Sequence, residues 1–299
     1  LARIEILGLY ATQPRLEGDL RDPAVLIPHL DRLARASRTA FADRDTWVGD
    51  PDWNLALPMD SLASAEWIAA RAPATFDPAA DLTVPAAPGE LVGHTTHFSI
   101  VGADGSLLAC TSTIETTFGS AEVVPGWGFF LNNELTDFNW MPAPGERPAP
   151  NDVQQGRMMR ETSLKQPAGQ GGKRPRSSMC PVIVYDAKGR PALALGSPGG
   201  ARIIGTVAGV LLGVLEFGLP LQEAIDLPRL HCRNRPLEIE TFGWDWQAVA
   251  DSLAARGWPI APLAEWPLLQ GDAHGVRILP DGRREGAADP RHDGGAAGW

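Results

Sequence analysis

The sequence predicts an α+β fold in which layered β-sheets are flanked by helices. Two stretches of β-branched residues, each interrupted by a turn signal, predict hairpins over residues 95–114 and 182–195. Apolar residues at three- and four-residue steps predict amphipathic helices at residues 27–44 and directly after Gly200. The chain has 299 residues, of which 44% are hydrophobic, so it can bury a full core. These features favour a sheet sandwich rather than a disordered chain.

Further elements are predicted outside the hairpins. The spacing of apolar residues predicts short helices at 64–71, 224–227 and 246–256, and a late strand at 275–279. Residues 73–92 are rich in Pro, Ala and Asp and predict an exposed linker that ends directly before the first hairpin.

Charge and cysteine content narrow the classes of function. The formal net charge of -10 argues against a nucleic acid or an anionic membrane surface as partner. Cys110, Cys180 and Cys232 form no CxxC pair and are odd in number, so neither a disulfide framework nor a zinc site is indicated. No apolar run reaches the ~20 residues that span a bilayer. The chain begins at Leu1 without a methionine, so we expect that an upstream portion is missing.

The first hairpin brings threonines together. The dipeptide Asp104-Gly105 is a strong signal for a two-residue turn. Centring the strand pairing on this turn sets Thr96 opposite Thr113, within about one residue of register error. Thr95 then faces Ile114. We therefore expect Thr113 to lie beside the two threonines that open the hairpin.

The second hairpin brings serines to one end of its sheet. Centring its pairing on the turn at residues 186–189 sets Ser178 opposite Ser197. Gly199 and Gly200 then open a helix, where the helix dipole and unpaired N–H groups can stabilise negative charge. Such a place can serve as an oxyanion hole, although a tight turn that happens to contain two glycines explains the same residues. No GxSxG elbow or HExxH motif offers another catalytic centre.

Histidine and arginine residues near these segments are interpreted as structural. By strand alternation His97 lies on the same face as Thr95, and we expect it to make structural hydrogen bonds. Arg229 and His231 follow a proline, and we expect them to lock a helix end.

Several motifs resemble, in order and spacing, those of the γ-glutamyltranspeptidase family. They are Thr95-Thr96-His97-Phe98-Ser99, Thr116-Thr117-Phe118-Gly119-Ser120, Leu131-Asn132-Asn133-Glu134, Asp137-Phe138, Ser177-Ser178-Met179, Gly196-Ser197-Pro198-Gly199-Gly200, Pro228-Arg229-Leu230-His231 and Asp289-Pro290-Arg291. Upstream, Phe41-Ala42-Asp43-Arg44 and Gly49-Asp50-Pro51 resemble the end of the family's large subunit. The resemblance covers nearly the whole chain.

This resemblance implies the four-layer αββα sandwich of the N-terminal-nucleophile hydrolases, lacking the first part of the large subunit. Residues 1–94 would be the C-terminal portion of the large subunit with the linker that precedes cleavage, and residues 95–299 would be the small catalytic subunit. The two autocleaved pieces would form a heterodimer. Periplasmic or extracellular localisation is implied by the family, although the chain itself also permits a cytoplasmic one.

The resemblance also implies the catalytic residues. Autocatalytic cleavage of the His94–Thr95 bond would free the α-amino group of Thr95, which then serves as the base for its own hydroxyl nucleophile. Thr113 would support this nucleophile, and Gly199 and Gly200 would supply the oxyanion donors. No cofactor and no metal are implied.

The residues that would bind the substrate follow from the same resemblance. Ser177 and Ser178 would hold the α-carboxylate, and Glu134 and Asp137 would hold the α-ammonium. Glu115 stands where better-known transpeptidases carry an asparagine that helps to bind the ammonium. The family's carboxylate-binding arginine comes from the missing upstream part, and no arginine of this chain is assigned that role.

The expected reaction is γ-glutamyl transfer or hydrolysis. Glutathione or another γ-glutamyl amide would donate the acyl group, and water or an amine would accept it. Alternatives within the family are a cephalosporin (glutaryl) acylase and a poly-γ-glutamate hydrolase. An alternative of another class is an unprocessed, inactive homologue that serves as a binding module.

Overall fold

The fold combines helices and strands, so the predicted α+β class is confirmed. The computed structural model describes residues 1–51, 60–83, 95–139, 149–152, 173–233, 236–241, 244–263 and 270–298. The helices are α1 (Ala2–Ala11), α2 (Pro23–Trp47), α3 (Ala65–Thr75), α4 (Arg202–Leu215), α5 (Leu221–Asp226) and α6 (Trp246–Ala254), with short 3-10 helices at Ser61–Ala63 and Glu134–Asp137. The strands are β1 (Thr95–Val101), β2 (Leu107–Thr113), β3 (Val182–Tyr185), β4 (Pro191–Gly196), β5 (Leu230–His231), β6 (Leu237–Glu240), β7 (Ile260–Leu263), β8 (His274–Ile278) and β9 (Arg284–Ala288). Within these ranges, no helix is both long and apolar enough to cross a membrane.

Helix α2 is longer than the range 27–44 that its periodicity predicted. It begins after Asp22, whose side chain accepts a hydrogen bond from the N–H of Ala24 at 2.8 Å. Pro23 occupies the first helical position, where its missing N–H costs nothing. Apolar residues of α2, including Phe41, pack with residues of α1 and α4 in one core. Elements before and after the first hairpin therefore share a hydrophobic core.

The larger sheet is antiparallel, with the strand order β3-β4-β8-β9. Leu193 and Leu195 of β4 point from one face into a core formed with residues of α4 and α5. Because side chains alternate along a strand, the residues between them point to the opposite face. On that face the β1–β2 hairpin contacts β4 and β8, and Gly196 lies against the ring of His97. The hairpin and the four-stranded sheet are thus two stacked β-layers with helices on one side.

The two hairpins differ in how well their registers were predicted. In β1–β2, Thr95 pairs with Thr113, one residue from the centre of the prediction and within its stated error. In β3–β4, Val182 pairs with Leu195, so the prediction is wrong by two residues. The register shifts at Tyr185, which pairs with Pro191, a residue that has no N–H to donate to the ladder.

The Ser178–Ser197 pairing that followed from this register is also wrong. Strand β3 begins only at Val182. The Ser197 hydroxyl instead accepts a hydrogen bond from the N–H of Asp272 at 2.9 Å and donates to the carbonyl of Pro198 at 2.6 Å. Ser197 therefore belongs to the turn that follows β4.

A third sheet was not predicted. Strands β5, β6 and β7 form it, with β6 and β7 parallel and joined through α6. Leu237, Ile239 and Leu253 are fully buried in the core between this sheet and its helices. The linker predicted at 73–92 is wrong at its start, since α3 continues to Thr75, and its residues 84–92 lie outside the described ranges.

A buried ionic network joins the two larger sheets. Asp289, which follows β9, lies 2.6 Å from the guanidinium of Arg229, which precedes β5. Arg291 binds Glu240 at the end of β6 with an N–O distance of 2.7 Å. Arg229 also donates to the carbonyl of Ile225 at 2.8 Å, which confirms that it locks the end of a helix, here α5. Burial alone would raise the pKa of Asp289, but the two guanidinium groups hold that pKa below its ordinary value.

Replacing Asp289 with Asn should destabilise the fold, because two buried guanidinium groups would lose their shared carboxylate. We expect the free energy of unfolding at pH 7 to fall by about 3 kcal/mol. The pKa of Asp289 is lower in the folded than in the unfolded chain, so its contribution is present above about pH 4 and is lost as the pH falls further. Urea denaturation at pH 7 and pH 3.5 measures both effects.

Asp281→Asn is the matched control. Asp281 lies 2.6 Å from Arg283, the same N–O distance as in the Arg229–Asp289 pair, but both of its groups are exposed to solvent. This control should leave the unfolding midpoint unchanged. Equal losses in the two variants would show that the buried network does not stabilise the fold.

Candidate active site

The candidate nucleophile opens the first strand. Thr95 is the first residue of β1 and pairs with Thr113, the last residue of β2. Its hydroxyl donates to the hydroxyl oxygen of Thr113 over 3.3 Å. The Thr113 oxygen also accepts the N–H of Glu115 at 2.9 Å. The end of the hairpin therefore fixes a pair of hydroxyl groups at the edge of the β-layer.

Glu115 occupies an unusual backbone conformation directly after this pair. Its φ of 76° lies in the left-handed region, which few residues other than glycine and asparagine adopt. The side chain is only 9% exposed, and its carboxylate accepts a hydrogen bond from the Thr136 hydroxyl at 3.2 Å. This conformation turns the N–H of Glu115 towards Thr113 and its carboxylate towards the 3-10 helix Glu134–Asp137.

Asn133 connects the hairpin to that 3-10 helix. Its side-chain oxygen accepts the N–H of Thr116 at 3.1 Å and the hydroxyl of the same residue at 3.2 Å. Its own N–H donates to the carbonyl of Ile114 at 3.2 Å. No role was predicted for Asn133 or Thr136 from the sequence. Asn133 lies within the motif at residues 131–134 and Thr136 directly precedes the motif at 137–138. Their contacts depend on the conformation of a loop, which the spacing of apolar residues does not predict.

Burial and neighbouring carboxylates raise the pKa values of two acids in this region, Glu134 and Asp137. Burial, followed by the charges of Asp137 and Glu115, raises the pKa of Glu134 to about 7. Burial and the charge of Glu115 raise the pKa of Asp137 to about 6, although the guanidinium groups of Arg44 and Arg176 act in the opposite direction. One carboxylate oxygen of Glu134 is buried without a hydrogen-bond partner among the described residues. A cationic group bound here would lower both pKa values and satisfy that oxygen.

Of the two serines, Ser178 lies beside a positively charged group. The Ser178 hydroxyl oxygen accepts a hydrogen bond from the guanidinium of Arg44, near the end of α2, at 2.7 Å. The Ser177 hydroxyl oxygen accepts the N–H of Met179 at 3.1 Å. Arg44 is also near enough to Asp137 for their charges to interact. The serines and the acids therefore lie in neighbouring regions of opposite charge.

The glycine turn lies at the end of β4. Gly196 touches the ring of His97, two residues from Thr95, so the turn begins close to the start of β1. Gly199 has a φ of 130°, and a Cβ at that position would meet the Cα of Gly271 at 3.0 Å. Gly200 has a φ of 57°. Among the described residues neither glycine N–H donates to a backbone carbonyl.

His97 is a structural residue, as expected. Its two ring nitrogens lie 2.8 Å from the Thr111 hydroxyl and 3.0 Å from the Ser99 hydroxyl. Burial, together with the neighbouring His274, lowers the pKa of His97 to about 4, so the ring is neutral at pH 7. The ring fastens β1 to β2 and holds the hairpin in the register that joins Thr95 to Thr113.

Comparison with known proteins decides the family. A family model described as Gamma-glutamyltranspeptidase matches residues 3–299. The chain belongs to the γ-glutamyltranspeptidase family. The glutathione hydrolase proenzyme of Pseudomonas aeruginosa is 34% identical over 272 residues, which cover 89% of this chain and 45% of that protein. The chain thus spans less than half the length of this relative. The match to the family model confirms the resemblance inferred from the motifs.

Solved structures agree with this membership of the γ-glutamyltranspeptidase family. The γ-glutamyltranspeptidase from Pseudomonas nitroreducens, solved in complex with L-DON, is 32% identical, with a TM-score of 0.55 over 68% of this chain and 99% of that chain. A cephalosporin acylase from Bacillus halodurans is 19% identical, with a TM-score of 0.75 over 100% of this chain and 49% of that chain. The second likeness concerns the fold alone. The chain therefore has the α+β fold of these enzymes.

The acid cluster should make stability fall as the pH rises. The folded protein keeps a proton on Glu134 up to about pH 7, whereas the unfolded chain loses it near pH 4.5. The folded state binds more protons between these values, so the free energy of unfolding decreases across them. Glu134→Gln should reduce this decrease and should stabilise the protein above pH 7. Urea midpoints at pH 5 and pH 8 measure the difference.

Glu122→Gln provides the control, because Glu122 is an exposed acid in the same loop region. It should keep the pH dependence of the unaltered protein. If Glu134→Gln also keeps it, the three acids do not interact as the structure indicates.

Proposed function

We propose that this chain carries the nucleophile and most of the acyl-binding site of a γ-glutamyl transferase or hydrolase, with Thr95 as the nucleophile. The observation that carries this proposal is the Thr95–Thr113 hydroxyl pair, which Glu115 follows directly and links to the 3-10 helix Glu134–Asp137. The Arg44–Ser178 pair, whose guanidinium also interacts with the charge of Asp137, supports a substrate site with groups of both charges. Glutathione or another γ-glutamyl amide is the donor, and water or an amine is the acceptor.

The nucleophile requires a free amine as its base. In the intact chain the nitrogen of Thr95 is an amide, which does not accept a proton at neutral pH. Cleavage of the His94–Thr95 bond converts it into an α-amino group with an unperturbed pKa of about 7.7–8.0. Such a group can take the proton of the Thr95 hydroxyl. His94 itself lies outside the described residues.

Acylation of Thr95 requires only groups of this site and of the substrate. The Thr95 oxygen attacks the γ-carbonyl carbon while its proton passes to the α-amino group. The oxyanion that forms accepts hydrogen bonds from the N–H groups of Gly199 and Gly200. When it collapses, the C–N bond breaks and the leaving amine takes the proton. An ester on Thr95 remains, and attack by water or an amine restores the hydroxyl group.

The charges of the pocket favour an amino-acid head group. An α-ammonium near Glu115, Glu134 and Asp137 would form charge-assisted hydrogen bonds and would relieve the repulsion among these acids. The α-carboxylate would bind at Ser177 and Ser178. A glutaryl side chain has no ammonium group and leaves the acids uncompensated. The pocket therefore supports a γ-glutamyl group better than a glutaryl group.

We further propose that the whole protein has the four-layer αββα sandwich. The chain accounts for two β-layers and for helices on one side of them, and the preceding part of the large subunit would supply the rest. In this arrangement residues 1–94 and residues 95–299 separate at cleavage and stay together as a heterodimer.

Self-cleavage tests the nucleophile. Purified precursor should split without a protease, because the Thr95 hydroxyl can attack the carbonyl of His94 and form an ester that water opens. Thr95→Ala should stay uncut and inactive, whereas Thr95→Ser should cut slowly. Intact mass and N-terminal sequencing measure the products, and the piece that carries residues 95–299 should begin Thr95-Thr96-His97-Phe98.

Thr96→Ala is the matched control, because its side chain lies on the exposed face of the same strand. It should cut and turn over substrate normally. A Thr95→Ala precursor that still splits and hydrolyses a γ-glutamyl anilide would exclude Thr95 as the nucleophile. A precursor that never splits and never turns over substrate would support the inactive binding module instead.

Asp137→Asn tests the substrate class. Loss of a charged hydrogen bond to the ammonium should weaken binding by about 1.5–3 kcal/mol, so KM for a γ-glutamyl anilide should rise by roughly 10-fold or more. KM for a glutaryl anilide, which lacks the amine, should change little. Steady-state kinetics on both substrates measures the contrast, and equal losses on the two would remove Asp137 from the ammonium site.

A further inference from the structure

The guanidinium of Arg44 is buried next to the proposed carboxylate site. Arg44 lies on the last turns of α2, and its side chain is 7% exposed. It lies above the ring of Phe41, 5.8 Å from the ring centre, and donates a hydrogen bond to the Ser178 hydroxyl oxygen over 2.7 Å. The packing and the hydrogen bond together give this side chain one orientation.

The direction of that hydrogen bond matters for Ser178. A guanidinium can only donate, so the hydroxyl oxygen of Ser178 must be the acceptor. The hydrogen atom of the same hydroxyl is then left for another acceptor. Ser178 is half-buried, and its neighbour Ser177 is exposed, so this hydrogen can reach a bound ligand. A charged donor on the oxygen also makes the hydroxyl a stronger donor in turn.

The charge of Arg44 is only weakly balanced. Among the residues that the structure describes, Asp45 is the acid in ion-pair contact with Arg44, at 3.7 Å, but the same carboxylate oxygen lies 2.7 Å from Arg176. Burial, and then the guanidinium groups of Arg176 and Arg233, lower the pKa of Arg44 to about 9, so it remains charged at pH 7. A buried cation that shares its partner favours a further anion nearby. The open side of Ser178 offers the place for one.

We propose that Arg44 is a positioning residue for the α-carboxylate of the substrate: it orients the Ser178 hydroxyl towards that carboxylate and supplies positive charge behind it. The inference rests on the proposed function, because it takes the γ-glutamyl head group as the ligand. Arg44 of this chain then supplies positive charge to the carboxylate site, whereas the sequence led us to expect that charge only from an arginine in the missing upstream part of the protein. The ammonium end of the same head group would face Asp137, which lies on the acidic side.

Binding of two small ligands tests this role without requiring turnover. L-Glutamate carries the α-carboxylate, and 4-aminobutyrate is the same molecule without it. Isothermal titration of the purified protein should show that Arg44→Gln weakens L-glutamate binding by about 10- to 100-fold, as expected for a lost charge-assisted contact. Binding of 4-aminobutyrate should change less than about twofold, because that ligand does not use Ser178.

A double-mutant cycle separates positioning from a general structural role. Ser178→Ala should weaken L-glutamate binding in the unaltered protein. It should have little further effect in Arg44→Gln, because either change alone already disrupts the Arg44–Ser178 pair that binds the carboxylate. Arg38→Gln is the control, since Arg38 lies on the same helix and donates to the backbone carbonyl of Asp81. It should leave L-glutamate binding unchanged. If Arg44→Gln does not fold, Arg44→Lys replaces it in the cycle, and the Ser178→Ala loss should then be smaller than in the unaltered protein.

The outcomes distinguish this inference from the proposed function. Ser178→Ala losses of equal size with and without Arg44, or equal losses of both ligands in the Arg44 variant, would overturn the role of Arg44. Turnover of a γ-glutamyl anilide is measured on the same preparation. If the protein binds L-glutamate in an Arg44-dependent way but does not turn over the anilide, the result would count against the catalytic proposal and would still support the carboxylate site.

Discussion

The hydroxyl contact between Thr95 and Thr113 depends on the register of one hairpin. Side chains alternate along a strand, so a slip of one residue would turn Thr113 to the opposite face. Two features prevent such a slip: the Asp104-Gly105 turn sets the pairing, and the buried ring of His97 binds the Thr111 hydroxyl across the strands. The absence of a side chain at Gly196 lets the four-stranded sheet approach this ring. The contact between the two β-layers and the position of Thr95, the proposed nucleophile, therefore depend on the same residues.

The charged groups near the candidate site are unfavourably arranged in the protein without a ligand. Burial, and then repulsion by the neighbouring carboxylates, raise the pKa values of Glu134 and Asp137 towards neutrality, while Arg44 is held among other guanidinium groups. Neither cluster compensates itself, and Arg44 only partly offsets the charge of Asp137. A zwitterionic head group placed between them would compensate both. The clustered like charges of the free protein therefore favour binding of a zwitterionic ligand.

The sequence predicted the parts that depend on local signals. The first hairpin, α4 and the helix around Trp246 follow from turn residues and periodicity, and the structure contains all of them. The second hairpin was placed two residues out of register: its turn closes between Asp186 and Arg190, one residue longer than predicted, and the ladder shifts by one more residue where Tyr185 pairs with Pro191. Strands β5 to β7 are two to four residues long, too short for an alternating pattern. Arg44 was missed because its partner, Ser178, lies 134 residues away along the chain.

The site also explains why a cut between residues 94 and 95 need not separate the pieces. Arg44 precedes that bond and Ser178 follows it, so their hydrogen bond crosses the boundary. The hydrophobic core crosses it too, since residues of α1 and α2 pack with residues of α4. Breaking one peptide bond removes neither the buried apolar contacts nor this hydrogen bond. A cut at this bond would therefore free the amine of Thr95 while apolar packing and the Arg44–Ser178 hydrogen bond keep the two pieces together.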